Sequence, residues 1–359
     1  MAVATVPTGK GALRAPSFKL RASSHAELSH DGTRLAQLTQ RLVVWDVPAR
    51  KVAYEGKLIA NEHHVVLSPD AARLAVKDSN GRSVFFDLLT QRVISTGPES
   101  PYHQIGGKPA FSADGERLLD VMTDATLRVW DVATGHEQAR YPNFGYSAGD
   151  IVVARGSDDY FVALTKNGEK LSFDSVLRLP GMDAERAEVL DFRPRQHIQG
   201  AQWLLSDGLA VDDAGKRLVM GVRGGFGDDM RSMLVSYDLV TGEAVVMPLP
   251  PGRHYVRSIV VTDDGLVVAS VQDSEQIRGR ENDFAWRRTL ELDHLYFFDA
   301  TDGALLARWY WNDAWHLGHS PRTGALAIGS RTEPGGCLAD APFTLARRDW
   351  FAAHPRHRP

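Results

Sequence analysis

Residues 111–137, FSADGERLLDVMTDATLRVWDVATGHE, decide how the rest of the chain is read. An apolar residue leads into Ser-Ala-Asp-Gly, a turn tetrad. Five mostly apolar residues follow, then a short polar turn, then Leu127-Arg128-Val129-Trp130 ending in Asp131, then Ala-Thr-Gly. Leu, Val and Trp in short runs suit a pleated, packed surface, and Asp-Gly and Thr-Gly supply the reversals between strands. One such unit is a meander of short antiparallel strands, which cannot bury both faces by itself.

The frame recurs. LSHDGTRLAQLTQRLVVWDVPARKV from Leu28 and LSPDAARLAVKDSNGRSVFFDLLTQRV from Leu67 follow the same order of strands and turns. It returns as VDDAGKRLVMG through LVSYDLVTGEAV and as VTDDGLVVASV through LYFFDATDGALLARW, with a last half-unit HSPRTGALAIGS. The closing aspartates read as Asp46, Asp87, Asp131, Asp174, Asp238 and Asp299, at intervals of 41, 44, 43, 64 and 61. A period of about 40 to 45 residues is that of a propeller blade, and successive sheets packed around an axis bury the faces each lacks.

The Ser-Pro-Asp turn, Trp45-Asp46-Val47 and Trp130-Asp131-Val132-Ala133-Thr134-Gly135 resemble the WD-repeat family of β-propellers over about residues 25 to 335. The Gly-His dipeptide of that family is missing from every repeat, and the unit around Asp174 is degenerate, so a divergent and bacterial propeller is expected. The resemblance implies an all-β fold, a single propeller of seven four-stranded blades over residues 25–340. Residues 1–24 would supply an N-terminal closing strand, from Ala12 to Arg21, and residues 341–359 a last strand, from Phe343 to Phe351, and a frayed basic tail.

Composition sets bounds on function. The 359 residues exceed what one continuous core normally supports, which a repeat escapes. A hydrophobic fraction of 43% with 24% charge is that of a folded globular chain. The formal net charge of −4 gives no basic field for nucleic acid. Cys337 stands alone, which removes internal disulfides and cysteine-based metal sites. The N-terminal stretch lacks the apolar core of a secretion signal and no long apolar run occurs, so a cytoplasmic protein without membrane contact is expected. No GxSxG, HExxH, P-loop or dinucleotide fingerprint is present, and no cofactor is indicated.

Aligning the repeats on their turns brings His25, His64, Lys108, Ser258 and His316 to one equivalent position, at the start of the innermost strand beside the channel mouth. Three imidazoles there suit a metal, which would make a lyase- or lactonase-like small-molecule enzyme. The other reading is hydrogen bonding to neighbouring loops and water. The two long intervals place insertions after Arg223 (RGGFGDDMRS, with Phe226, Met230 and Arg231) and after Gln272 (QDSEQIRGRENDFAWRRTL, with Phe284, Trp286, Arg287 and Arg288). Aromatic residues with arginine are the composition of interface hot spots, so these loops are the expected contact with a partner protein, the alternative being that the aromatics fold back onto their blade. Trp311 and Trp315, in RWYWNDAWHLGH, are further candidates, although strand alternation puts about half of that cluster in the core. Residues 182–192, MDAERAEVLDF, read as a short helix on the rim, and Asp212-Asp213, Asp228-Asp229 and Asp263-Asp264 as solvated turns. The expected function is a non-catalytic protein-interaction module, scaffold or neutralising partner.

Overall fold

The computed structural model describes residues 6–8, 11–13, 23, 25–59, 62–97, 107–122, 126–141, 146–166, 173–192, 203–226, 229–250, 253–275, 290–311, 314–330, 337–339 and 356–357. Among the described residues the chain is all-β apart from one 3-10 turn, Ala184–Arg186. Each sheet is a meander in which strands follow one another in sequence order. Blade 1 comprises His25–Leu28, Arg34–Leu38, Leu42–Asp46 and Lys51–Gly56. Blade 2 comprises Glu62–Leu67, Arg73–Asp78, Ser83–Asp87 and Arg92–Thr96, and blade 3 Ala110–Phe111, Arg117–Val121, Leu127–Asp131 and Glu137–Tyr141. Blade 4 takes Tyr146–Ala154, Asp159–Lys166, Phe173–Pro180 and Glu188–Asp191. Blade 5 takes Trp203–Val211, Arg217–Phe226, Asp229–Asp238 and Ala244–Pro248. Blade 6 takes Arg253–Val261, Leu266–Glu275, Leu290–Asp299 and Leu305–Tyr310.

Among the described residues the propeller therefore has six complete four-stranded blades, not the expected seven. Between blade 6 and blade 1 lies a three-stranded sheet, Ala314–His319, Leu326–Ser330 and Cys337–Ala339. Of the expected closing strand, Ala12 and Leu13 pair with Pro7 and Val6 in a hairpin, and just beyond it the Ser23 amide donates to the Ser330 carbonyl of the three-stranded sheet at 2.6 Å. The remainder of Ala12 to Arg21, and all of Phe343 to Phe351, lie outside the described residues. The basic tail is not wholly frayed, since Arg356–His357 adds a parallel strand to the outer edge of blade 6, opposite Arg308 and Trp309.

Alternation along the strands builds the ring. In blade 2, Leu74, Val76, Val84 and Phe86 face blade 1, where they meet Ala36, Leu38 and Val44. Ala75 and Phe85, one residue out of phase, face blade 3 and pack on Phe111, Leu118 and Trp130. Apolar clusters of this kind fill every junction between successive sheets, including those on both sides of the three-stranded sheet. Innermost strands touch their neighbours all the way round, so the core is a closed annulus about a central channel.

The recurring turn residues are caps. Ser29, Ser68, Ser112 and Thr262 each donate a side-chain hydroxyl to the aspartate two residues on, at 2.5–2.7 Å. Each also accepts the backbone N–H that opens the next strand, at 2.8–2.9 Å. The closing aspartates accept turn amides: Asp46 from Ala49, Asp87 from Thr90, Asp131 from Thr134, Asp238 from Thr241 and Asp299 from Thr301, at 2.7–2.9 Å. These backbone bonds hold the Asp87, Asp131 and Asp238 carboxyls below the usual carboxylate range. In blade 1 the buried Trp45 indole donates to Gln37 Oε1 at 2.8 Å, and Gln37 donates to Ser23 at 3.1 Å.

Three sequence expectations are corrected. In five blades the closing aspartate pairs with the first residue of the second strand, as Arg73 with Asp87. In blade 4 that partner of Asp159 is Pro180, so Asp174 is not the closing position. Residues 182–192 make one 3-10 turn and then the outer strand of blade 4, because Glu188-Val189-Leu190 finds a free edge opposite Arg178 to Val176. The insertion after Arg223 is no loose loop: the ladder of blade 5 continues through Gly224–Arg231 and Gly225–Met230 to Phe226–Asp229. Blade 6 likewise pairs as far as Glu275 with Leu290. The extra length lies largely in taller hairpins, since β-pairing satisfies backbone groups that a loop would leave to water.

Candidate functional site

Antiparallel register fixes which features share a face. The innermost strand of each blade begins where its second strand ends, so His25, Glu62, Tyr255 and Trp315 lie at the same end of the propeller as Arg223 and the tips of the two tall hairpins.

The aligned histidines do converge. The His25 ring centre is 5.3 Å from His64 and 5.4 Å from His316, and His63 joins them, 4.7 Å from His64. His316 Nδ1 donates to the Ala26 carbonyl at 2.9 Å, which fixes its tautomer. Burial, then the charges of neighbouring His316 and His64, pushes His25 down to about 2. Burial, then His63 and Lys77, pushes His64 down to about 3. His25 and His64 are therefore neutral imidazoles at physiological pH. His25, His63 and His64 meet edge to face and His316 lies tilted against His25, and among the described residues no three His, Cys, Asp or Glu side chains are disposed to hold a metal ion. The cluster forms a collar around the channel mouth.

Of the other equivalent positions, Ser258 Oγ accepts the Leu317 amide at 3.1 Å and ties blade 6 to the three-stranded sheet. Lys108 reaches across the channel to Glu27, 2.7 Å away.

On the same face, blade 6 is framed by two cation–π contacts. The Arg223 guanidinium of blade 5 lies 4.2 Å from the centre of the Tyr255 ring of blade 6. The Arg257 guanidinium of blade 6 lies 4.0 Å from the Trp315 ring of the three-stranded sheet. All four side chains are partly exposed. Desolvated arginine on an aromatic face holds the ring rigid while leaving its other surface available. Sequence reasoning found Trp315 and missed Arg223, Tyr255 and Arg257, whose neighbourhood depends on which blades are adjacent.

The remaining candidates divide. Arg231 is exposed on the blade 5 hairpin. Phe226 and Met230 sit at its tip by register, their side chains outside the described residues. Phe284, Trp286, Arg287 and Arg288 also lie outside the described residues. Trp311 is 4% exposed, in the core between blade 6 and the three-stranded sheet, so it is structural and not a contact residue. Asp212 and Asp213 are not solvated turn residues: Asp212 is buried, and Asp213 meets His30 across the channel.

No protein-family model matches the chain. A curated relative, the small ribosomal subunit protein RACK1 of Candida albicans, is 29% identical over 114 residues, which are 30% of this chain and 36% of that protein. The chain thus spans about a third of that relative's length. Among solved structures, the Kuenenia stuttgartiensis hydrazine synthase superposes with a TM-score of 0.62 at 13% identity, covering 90% of this chain and 96% of that one. The β-propeller domain of Myceliophteria thermophila Cps50 (Swd1) gives 0.62 at 12%, covering 90% and 99%. At such identities these likenesses concern the fold. Together with the Ser-x-Asp and Trp-Asp caps, they make this chain a WD-repeat-like β-propeller.

Proposed function

We propose that the protein is a non-catalytic, cytoplasmic protein-interaction module whose partner, another protein, docks on the histidine-collar face across blade 5, blade 6 and the three-stranded sheet. The observation that carries this reading is the pair of Arg–aromatic contacts, Arg223 on Tyr255 and Arg257 on Trp315, set on successive sheets of a rigid ring. Arginine, tyrosine and tryptophan are the residues that dominate interface energetics, and here they are pre-ordered. Beside them rise the hairpins whose tips carry Phe226 and Met230 and, by sequence, Phe284, Trp286, Arg287 and Arg288. The net charge of −4 disfavours nucleic acid. RACK1, by its name, is a protein of the small ribosomal subunit.

Affinity capture with the wild type, an Arg257→Ala/Trp315→Ala double variant and a variant with 276–289 replaced by a short Gly-Ser linker tests the reading. The double variant should weaken the captured partner at least about tenfold, each side chain being worth 1 kcal/mol or more at a hot spot. An unchanged partner set in both variants, or no partner for the wild type, removes this face from consideration.

A further inference from the structure

The channel itself holds a second feature, independent of the docking face. Two pairs cross it between non-adjacent blades. Lys108, ahead of blade 3, meets Glu27 of blade 1 at 2.7 Å. His30, three residues beyond Glu27, has Nε2 at 3.0 and 3.1 Å from the two carboxylate oxygens of Asp213 in blade 5. These four residues line a cavity of about 180 Å3, which also takes in Arg155 and His319. It adjoins a second space of about 230 Å3 that shares Asp213 and His319 and opens past Asp263 and Asp264.

The carboxylates inside are already occupied, Glu27 by Lys108 and Asp213 by His30. Arg155 is not: its Nη1 is enclosed and has no hydrogen-bond partner, and neither has His319 Nε2. Burial lowers Arg155 against the raising influence of Glu27 and Asp213, and brings His319 down to about 4, so its ring is neutral. Arg155 as a whole is partly exposed, but an enclosed guanidinium N–H without a hydrogen-bond acceptor is costly unless something supplies one. A free anion would be repelled by Asp213, Asp263 and Asp264 at the opening, whereas a molecule with a cationic end would be drawn to them. Val153, Val211, Ile259 and Leu317 give the rest of the wall an apolar character.

We infer that the channel binds a small zwitterion of the α-amino acid type, its carboxylate on Arg155 and His319, its ammonium toward Asp263 and Asp264 at the acidic opening, and a short apolar side chain against the valine and isoleucine wall. The space admits a ligand the size of alanine or valine.

Calorimetric titration with L-alanine, L-valine, acetate and ethylamine decides. The wild type should bind the two amino acids and show at least about tenfold weaker binding of acetate or ethylamine, each of which makes only one end of the contact. Arg155→Met should lose amino-acid binding at least tenfold while unfolding at the same temperature as the wild type or higher, because it removes an unsatisfied buried charge. Arg155→Lys provides a folded control, with weakened but measurable binding. Absence of binding by either amino acid, or binding unchanged in Arg155→Met and Arg155→Lys, overturns the site. Acetate binding as tightly as alanine overturns the zwitterion and identifies a simple carboxylate pocket.

Discussion

Lys77 and Asp120 pose a question that only individual residues can answer. Both are essentially inaccessible, with Nζ 2.6 Å from Oδ1, and Nζ also donates to the carbonyls of Val121 at 2.9 Å and Gly107 at 3.3 Å. Burial pushes the Asp120 carboxyl up, against the pull of Lys77. The pair joins blade 2 to blade 3, yet desolvating two charges consumes most of what their attraction returns. The asymmetry lies in what each deletion leaves behind. Asp120→Ala strands an ammonium with carbonyls alone, and should cost about 3–5 kcal/mol in urea unfolding. Lys77→Met leaves a carboxyl already inclined to hold its proton, and should cost visibly less. The double variant Lys77→Met/Asp120→Leu should recover to within about 1 kcal/mol of the wild type, as a well-packed apolar replacement does. A double variant as unstable as Asp120→Ala would show that the ion pair itself holds the two blades together.

At the scale of elements, the turns after the closing aspartates look alike in sequence but differ in surroundings. Gly242 and Gly303 share a φ of +75° in Thr-Gly and Asp-Gly turns of blades 5 and 6. A Cβ on Gly242 would meet nothing within 4 Å, whereas one on Gly303 would lie 2.3 Å from the Val246 carbonyl oxygen of the neighbouring blade. Gly242→Ala should therefore cost only the left-handed backbone penalty, about 1–2 kcal/mol. Gly303→Ala adds displacement of the blade 5 edge, at least about a further 1–3 kcal/mol, measurable as the difference in thermal unfolding between the two. The repeat made such turns legible, because the Ser-x-Asp and closing Asp caps are local chemistry fixed by spacing. Blades 1 to 3 follow the sequence reading closely for that reason. Blade 4 does not, since Pro180 occupies the position where an aspartate would signal the end of its third strand, and Asp174 offered a false one. The hairpins of blades 5 and 6 were read as loops because Gly224, Gly225 and the charges around them lack strand alternation. Only pairing with the adjacent strand makes them extended. The histidine collar was legible, since equivalent positions in repeats converge on the axis. Arg155, Asp213 and His319 were not, because their meeting depends on the blade order around a closed ring.

The closed ring makes acid its weak point. His25, His64 and His319 are held neutral, down to about 2, 3 and 4, each chiefly by burial, and His63 is lowered by burial and Lys77. Unfolding returns them to an ordinary imidazole near 6.5. Above about pH 6.5 neither state protonates these rings, and their contribution to stability is constant. Below it the unfolded chain takes up protons that the folded ring refuses, so stability falls by up to about 1.4 kcal/mol per pH unit for each group, continuing until pH drops through the folded values. Between about pH 6.5 and pH 5 these three rings together forfeit on the order of 5 kcal/mol, comparable to the whole stability of many domains. Carboxylates with pKa values held below the usual range titrate lower still, so a loss in this window belongs to the histidines. His25 and His64 belong to blades 1 and 2 and His319 to the sheet that closes the ring, so the groups that make the fold sensitive to acid sit on either side of its seam. The urea midpoint should be flat from about pH 8 to 7 and fall steeply toward pH 5. His25→Gln/His64→Gln, lacking two of the titrating groups, should retain a clearly shallower slope even where its midpoint at pH 7 is lower. Equal slopes for variant and wild type would mean that the collar is already protonated in the folded protein.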